Sequence, residues 1–131
     1  MPLTHAVDHD QQRVRVVAHG TIRLEDMVAL VTALADAQCF SYPQLFDARD
    51  AVQGLSADEM RRFVPLVARL REEHGQARTA FIATSDVTFG MARMYATLAA
   101  DADSGFMVYR TMDEGTAWLG WQRDTSGLPT H

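Results

Sequence analysis

The residues whose types could recognise a ligand or partner occur as short polar runs: Gly20-Thr21, Asp47-Ala48-Arg49-Asp50, Thr84-Ser85-Asp86 and Arg110-Thr111. Each follows a stretch that reads as a β-strand. In an open α/β sheet the carboxyl ends of the strands are where ligands bind. Hydroxyl, carboxylate and guanidinium groups gathered there would orient a small polar ligand or a partner loop. The plainer alternative is that Thr21, Ser85 and Asp86 cap helices while Asp47 and Arg49 pair or hold a loop. Ser56 heads the capping box Ser56-Ala57-Asp58-Glu59. A serine at a helix N-terminus is also where a phosphate would meet free amides and the helix dipole, although Asp58 and Glu59 would repel the added charge.

Other chemistries lack their residues. His5, His9, His19, His74 and His131 are scattered, without HxH, HExxH or cysteine spacing, so no metal site is expected. Gly20, Gly54 and Gly90 are isolated, without a GxGxxG or GxxxxGK phosphate loop, and no GxSxG elbow exists. Cys39 stands beside Phe40 with no local histidine and reads as a small buried hydrophobe rather than a nucleophile. An enzyme would have to assemble Asp47 with His19 or Cys39 from afar, so no catalytic residue and no cofactor is expected. The formal charge of −5 opposes capture of nucleic acid or anionic lipid. The run Met27-Val28-Ala29-Leu30-Val31 is far short of the ~20 residues that span a bilayer, and Met1 to Asp10 lacks a signal-peptide core. With its lone cysteine, the chain reads as cytoplasmic.

One segment is rich in adaptable apolar groups: Phe89-Gly90-Met91-Ala92-Arg93-Met94-Tyr95. Phe89, Met91, Met94 and Tyr95 would line a pocket, or simply pack the core. Arg93 would face an acidic or anionic partner. Gly90 weakens a helix relative to alanine, which suggests close approach of another backbone or a ligand.

The elements that must position these groups alternate along 131 residues, a length that suits one domain over 1–131. Leu3 to Val7 and the alternating Arg13 to Ala18 form a hairpin around Asp8-His9-Asp10, and Gly20 stops the second strand. Met27, Leu30, Val31 and Leu34 then mark a helix. Leu45-Phe46-Asp47 is a short strand. Met60, Phe63, Val64, Val67 and Leu70 give the Ser56 helix its apolar face, with Pro65 on the solvent side and Gly75 as its end. Thr79 to Ala83 reads as a strand buried on both faces. Val87, Met91, Met94, Tyr95 and Leu98 form the stripe of a third helix. Phe106 to Tyr109 is the last strand, and a last helix runs from Asp113-Glu114 through Trp118 and Trp121. The fold class is therefore α/β: a mostly parallel sheet of four to five strands with an N-terminal antiparallel hairpin, flanked by about four helices. An edge strand or the Trp118/Trp121 face leaves a homodimer open.

In order and spacing, Gly20 before Leu24-Glu25-Asp26, Leu45-Phe46-Asp47-Ala48-Arg49, Ser56-Ala57-Asp58-Glu59, Arg78-Thr79-Ala80, Phe89-Gly90-Met91-Ala92-Arg93-Met94 and Ala117-Trp118-Leu119 run through most of the chain. This pattern resembles the SpoIIAA-like branch of the STAS superfamily, a group also linked to the lipid-binding Sec14 fold. The resemblance implies a helix-flanked sheet, no catalytic residues and a regulatory or ligand-sensing role in bacteria. In the anti-sigma-factor antagonists of that group a kinase phosphorylates a serine within Asp-Ser-Ser-Gly; counting from Asp47, that serine falls at Ser56. Here Gly54-Leu55-Ser56-Ala57 stands instead. The expected function is a non-enzymatic module that recognises a protein partner through Thr21, Asp47, Arg49, Ser56, Ser85 and Arg93. The alternative is a binder of a small amphipathic or lipid-like ligand beside the third helix.

Overall fold

Valines at alternate positions from Arg13 onward, and the apolar run through 45 and 46, build the two longest strands of the sheet. A computed structural model describes residues 2–121. The elements are β1 (Leu3–Asp8), β2 (Arg13–Ile22), α1 (Leu24–Asp36), β3 (Gln44–Gln53), α2 (Ala57–His74), β4 (Thr79–Ile82), α3 (Asp86–Leu98), β5 (Phe106–Tyr109) and α4 (Met112–Leu119). Spatial order follows chain order, β1-β2-β3-β4-β5. β1 pairs antiparallel with β2 and the remaining strands are parallel, which is the architecture read from the sequence.

Three crossovers step across the sheet in one direction, so right-handed connections place α1, α2 and α3 on one face. That face buries Val14, Val16 and Ala18 of β2, Phe46 of β3 and Phe81 of β4 against Leu34, Phe63, Val67 and Tyr95. Strand alternation sends Leu45, Ala80 and Ile82 to the opposite face, where Leu119 and Trp121 cover them. Gly115 lets α4 approach closely, since a Cβ there would lie 2.5 Å from Ile82 Cδ1. Pro65 is exposed and α2 continues through it.

Several local expectations are corrected. Gly20 does not stop β2; at φ +69° it lies within the strand, which continues to Ile22 because β3 pairs with it as far as Gln53. β3 is correspondingly ten residues long rather than a short Leu45–Asp47 strand. The buried face of α3 is Thr88, Ala92 and Tyr95, whereas Val87 is 69% exposed and Met94 39% exposed. Met91, Tyr95 and Leu98 of the expected stripe pack on the core, while the small Thr88 and Ala92 take the places beside the sheet that Val87 and Met94 do not. Gly90 approaches nothing: a Cβ there would have no neighbour within 4 Å. α4 ends at Leu119, so Trp121 lies beyond the helix, where Arg13 and Arg15 stack on its ring at 4.8 and 5.4 Å. No helix among the described residues is long and apolar enough to cross a membrane.

Candidate functional site

The register of β2 on β3 shifts between the Val17–Asp47 and His19–Asp50 pairs, leaving one extra residue on β3 around Ala48 and Arg49. A bulge of this kind re-aims side chains. Asp47 and Arg49 come to the same side, joined by two bonds, Nε to Oδ1 and Nη2 to Oδ2, each 2.9 Å. The guanidinium's hydrogen bond holds the Asp47 carboxyl below the usual carboxylate range, against a smaller opposing effect of burial.

The other residues expected at the rim have local partners. Ser56 Oγ accepts from the Glu59 amide at 3.1 Å while the Ser56 amide donates to Glu59 at 2.9 Å, the reciprocal cap expected of S-x-x-E. Ser85 Oγ accepts from the Thr88 amide at 3.1 Å. Thr21 lies in β2 and caps no helix; the N-cap of α1 is Arg23. Asp86 binds Arg110 at 2.9 Å. Arg110 and Arg93 both approach the Phe89 ring, at 4.1 and 5.9 Å. These positions form no single cluster: Asp47 and Arg49 go with the α4 side of the sheet, whereas Ser56 and Ser85 start helices on the other. Near the rim Thr88 Oγ1 donates to the Ala51 carbonyl at 3.3 Å, bringing the start of α3 to the end of β3. The flanking Val52 and Val87 are 55% and 69% exposed.

A second polar cluster lies at the opposite end of the sheet and is buried. Arg71, in the last turn of α2, reaches Asp103 just before β5 at 3.1 Å. It also donates to the Ala77 carbonyl at 3.3 Å and to the Gln76 side chain. Tyr95 donates its hydroxyl to the other Asp103 oxygen at 3.0 Å. Arg71 Nε is buried without a partner. Burial pushes the Asp103 carboxyl up, opposed by the Arg71 charge and the Tyr95 bond. Burial, followed by the negative charge of Asp103, pushes the Tyr95 phenol up.

These three side chains border a cavity of about 90 Å³ between the sheet and α1, α2 and α3. Its walls run from Gln44, Thr79 and Phe106 at the amino ends of the strands to Ile22 and Gln53 at their carboxyl ends. Leu34, Phe46, Phe63 and Phe81 make it largely apolar. Of the residues expected to line a pocket on the third helix, Tyr95 borders this cavity. Phe89 and Met91 pack partly buried against the core, and Met94 is exposed.

Arg71 was legible in principle. It falls four residues after Val67, on the apolar stripe of its helix, where a charge needs a buried partner. Asp103, in the polar segment Ala100-Asp101-Ala102-Asp103-Ser104, carries no such signal. Cys39 is fully buried and its Sγ donates to the Leu34 carbonyl at 3.5 Å; burial pushes its thiol up. His9 contacts the Tyr42 hydroxyl at 2.9 Å, and His131 lies outside the described residues. Among the described residues no group of three His, Cys, Asp or Glu could hold a metal ion.

No family model matches this chain, and no curated protein matches it. Among solved structures it is similar to the crystal structure of an uncharacterised DUF3478-family protein with a SpoIIAA-like fold from Shewanella loihica PV-4. The two share 16% identity and a TM-score of 0.55 over 89% of this chain and 91% of that one. The order β1-β2-β3-β4-β5, with its antiparallel first pair and four helices, is thus a SpoIIAA-like fold.

Proposed function

We propose that this chain is a non-enzymatic binding module of the STAS-like kind, which takes a small amphipathic molecule into the cavity beneath α1, α2 and α3. The carrying observation is the cavity of about 90 Å³ itself, walled largely by apolar side chains with Arg71, Tyr95 and Asp103 at one end. Apolar walls with one buried polar end suit a short hydrocarbon chain bearing a head group.

The test is ligand-dependent thermal stability in the wild type and in Ala92→Leu, a substitution that places a larger side chain on the cavity wall. Octan-2-one at a hundredfold excess over its Kd is expected to stabilise the wild type by about 2.7 kcal/mol and the variant far less. Equal shifts in both proteins, or none in either, would overturn the reading.

A second reading, recognition of a protein partner at the rim, is supported by Val52 and Val87, exposed apolar side chains near the carboxyl end of β3 and at the start of α3, Val87 following Asp86 of the Asp86–Arg110 pair. An exposed apolar residue beside charged ones is a feature of contact surfaces. Val87→Glu is expected to abolish capture of a cognate protein while leaving octan-2-one binding intact; retained capture contradicts this reading.

A further inference from the structure

The solvent face of α3 lies opposite the residues that pack on the core. With 3.6 residues per turn, Thr88, Ala92 and Tyr95 share the buried side, so Asp86, Gly90, Arg93 and Thr97 lie on the other, and all four are exposed. Val87 and Met94 flank that row and are exposed as well. Ala92 and Tyr95 border the cavity, so this outer face is turned away from it and does not depend on what the cavity holds.

Nothing within one chain accounts for Gly90. A Cβ there would meet no atom within 4 Å, and alanine would make the more stable helix. A glycine on an exposed helix face does permit the close approach of another backbone.

The residues around it form two matched pairs. Asp86 and Arg93 are seven positions apart, as are Val87 and Met94, and both pairs straddle Gly90. Seven residues rise about 10.5 Å along a helix. A second α3 laid antiparallel and crossing at Gly90 would bring Arg93 of each copy to Asp86 of the other, and Val87 of each to Met94 of the other. Such reciprocity defines an isologous contact about a two-fold axis. The charges are placed for it. Among the described residues Arg93 has no ion-pair partner, and its guanidinium lies only against the Phe89 ring at 5.9 Å. Asp86 binds Arg110 through Oδ1, which leaves Oδ2 for a second guanidinium. A uniformly acidic or uniformly basic segment would meet a like charge on this face.

We propose that the outer face of α3 joins two copies of this chain, as an antiparallel pair of α3 helices crossing at Gly90 and closed by two Arg93–Asp86 ion pairs. The contact uses one face of a 13-residue helix, so it belongs with small, transient interfaces and a micromolar Kd.

Sedimentation velocity of the intact chain, from low to several hundred micromolar, is expected to show a monomer–dimer equilibrium. Gly90→Gln has room within the monomer and should weaken the dimer at least about tenfold by holding the helices apart. Arg93→Asp and Asp86→Arg each set like charges against one another across the two-fold axis, so each variant alone should be monomeric. An equimolar mixture of the two should regain the dimer, because both ion pairs then again join opposite charges. A wild-type chain that stays monomeric throughout would leave this face to a different protein and overturn the proposal. A dimer unmoved by Gly90→Gln would overturn it too, as would folded charge variants whose mixture regains nothing. Gly90→Gln decides the matter if either charge variant does not fold.

Discussion

Arg71→Met is expected to lose about 3–5 kcal/mol of stability, the range for removing one partner of a buried ion pair. The methionine fills much of the same space, so the loss comes from the carboxylate left behind. Asp103 keeps only the Tyr95 hydroxyl as a side-chain partner, at 3.0 Å, with no counter-charge. Urea denaturation of the single variant and of Arg71→Met with Asp103→Asn separates packing from charge. The second substitution removes the stranded carboxylate and should restore a large part of the loss. The sign of the pH dependence follows from the same carboxyl. In the wild type burial raises Asp103, so its ionisation opposes folding as pH rises from the ordinary Asp range to its native value. Without Arg71 that penalty should deepen and extend to higher pH. A single variant within about 1 kcal/mol of wild type would show that the pair carries little.

Phe46→Ala is the other large effect. Phe46 is 1% exposed, stacks on Phe81 with ring centroids 4.7 Å apart and forms part of the cavity wall. Truncating a buried phenylalanine costs about 3–5 kcal/mol, through lost burial and the space left unfilled. That space is ring-shaped and apolar, the kind that takes up benzene. Saturating benzene is therefore expected to raise the unfolding midpoint of Phe46→Ala by more than that of the wild type. A loss below about 1 kcal/mol, or no benzene response, would mean that the core collapses around the deletion.

The legible parts of the molecule were those with strong local patterning. Alternating valines marked β2, the capping box at Ser56 marked the start of α2, and alternation of element types gave a parallel sheet with an antiparallel edge. The stripe of α3 is legible in part: Met91, Tyr95 and Leu98 pack on the core, whereas Val87 and Met94 carry strong hydrophobic signals yet are exposed, and the small Thr88 and Ala92 are buried without such a signal. The extension of β3 through Arg49-Asp50 was hidden because a bulge breaks the period-two pattern. In open α/β sheets ligands gather at the carboxyl ends of strands, a rule that points to the rim. The buried Arg71–Asp103–Tyr95 cluster sits at the other end, assembled from two helices and a loop. A pairing between residues 32 positions apart has no local signature.

The most direct measurement is an NMR titration of the isotope-labelled protein with octan-2-one, reading the ring resonances of Phe46, Phe81 and Tyr95 and intermolecular contacts to the ligand chain. Binding in the cavity predicts saturable shifts of these resonances, with contacts from the chain to the Phe46 and Phe81 rings. Saturable shifts confined to Val52, Val87 and their neighbours, with these rings unmoved, would contradict it.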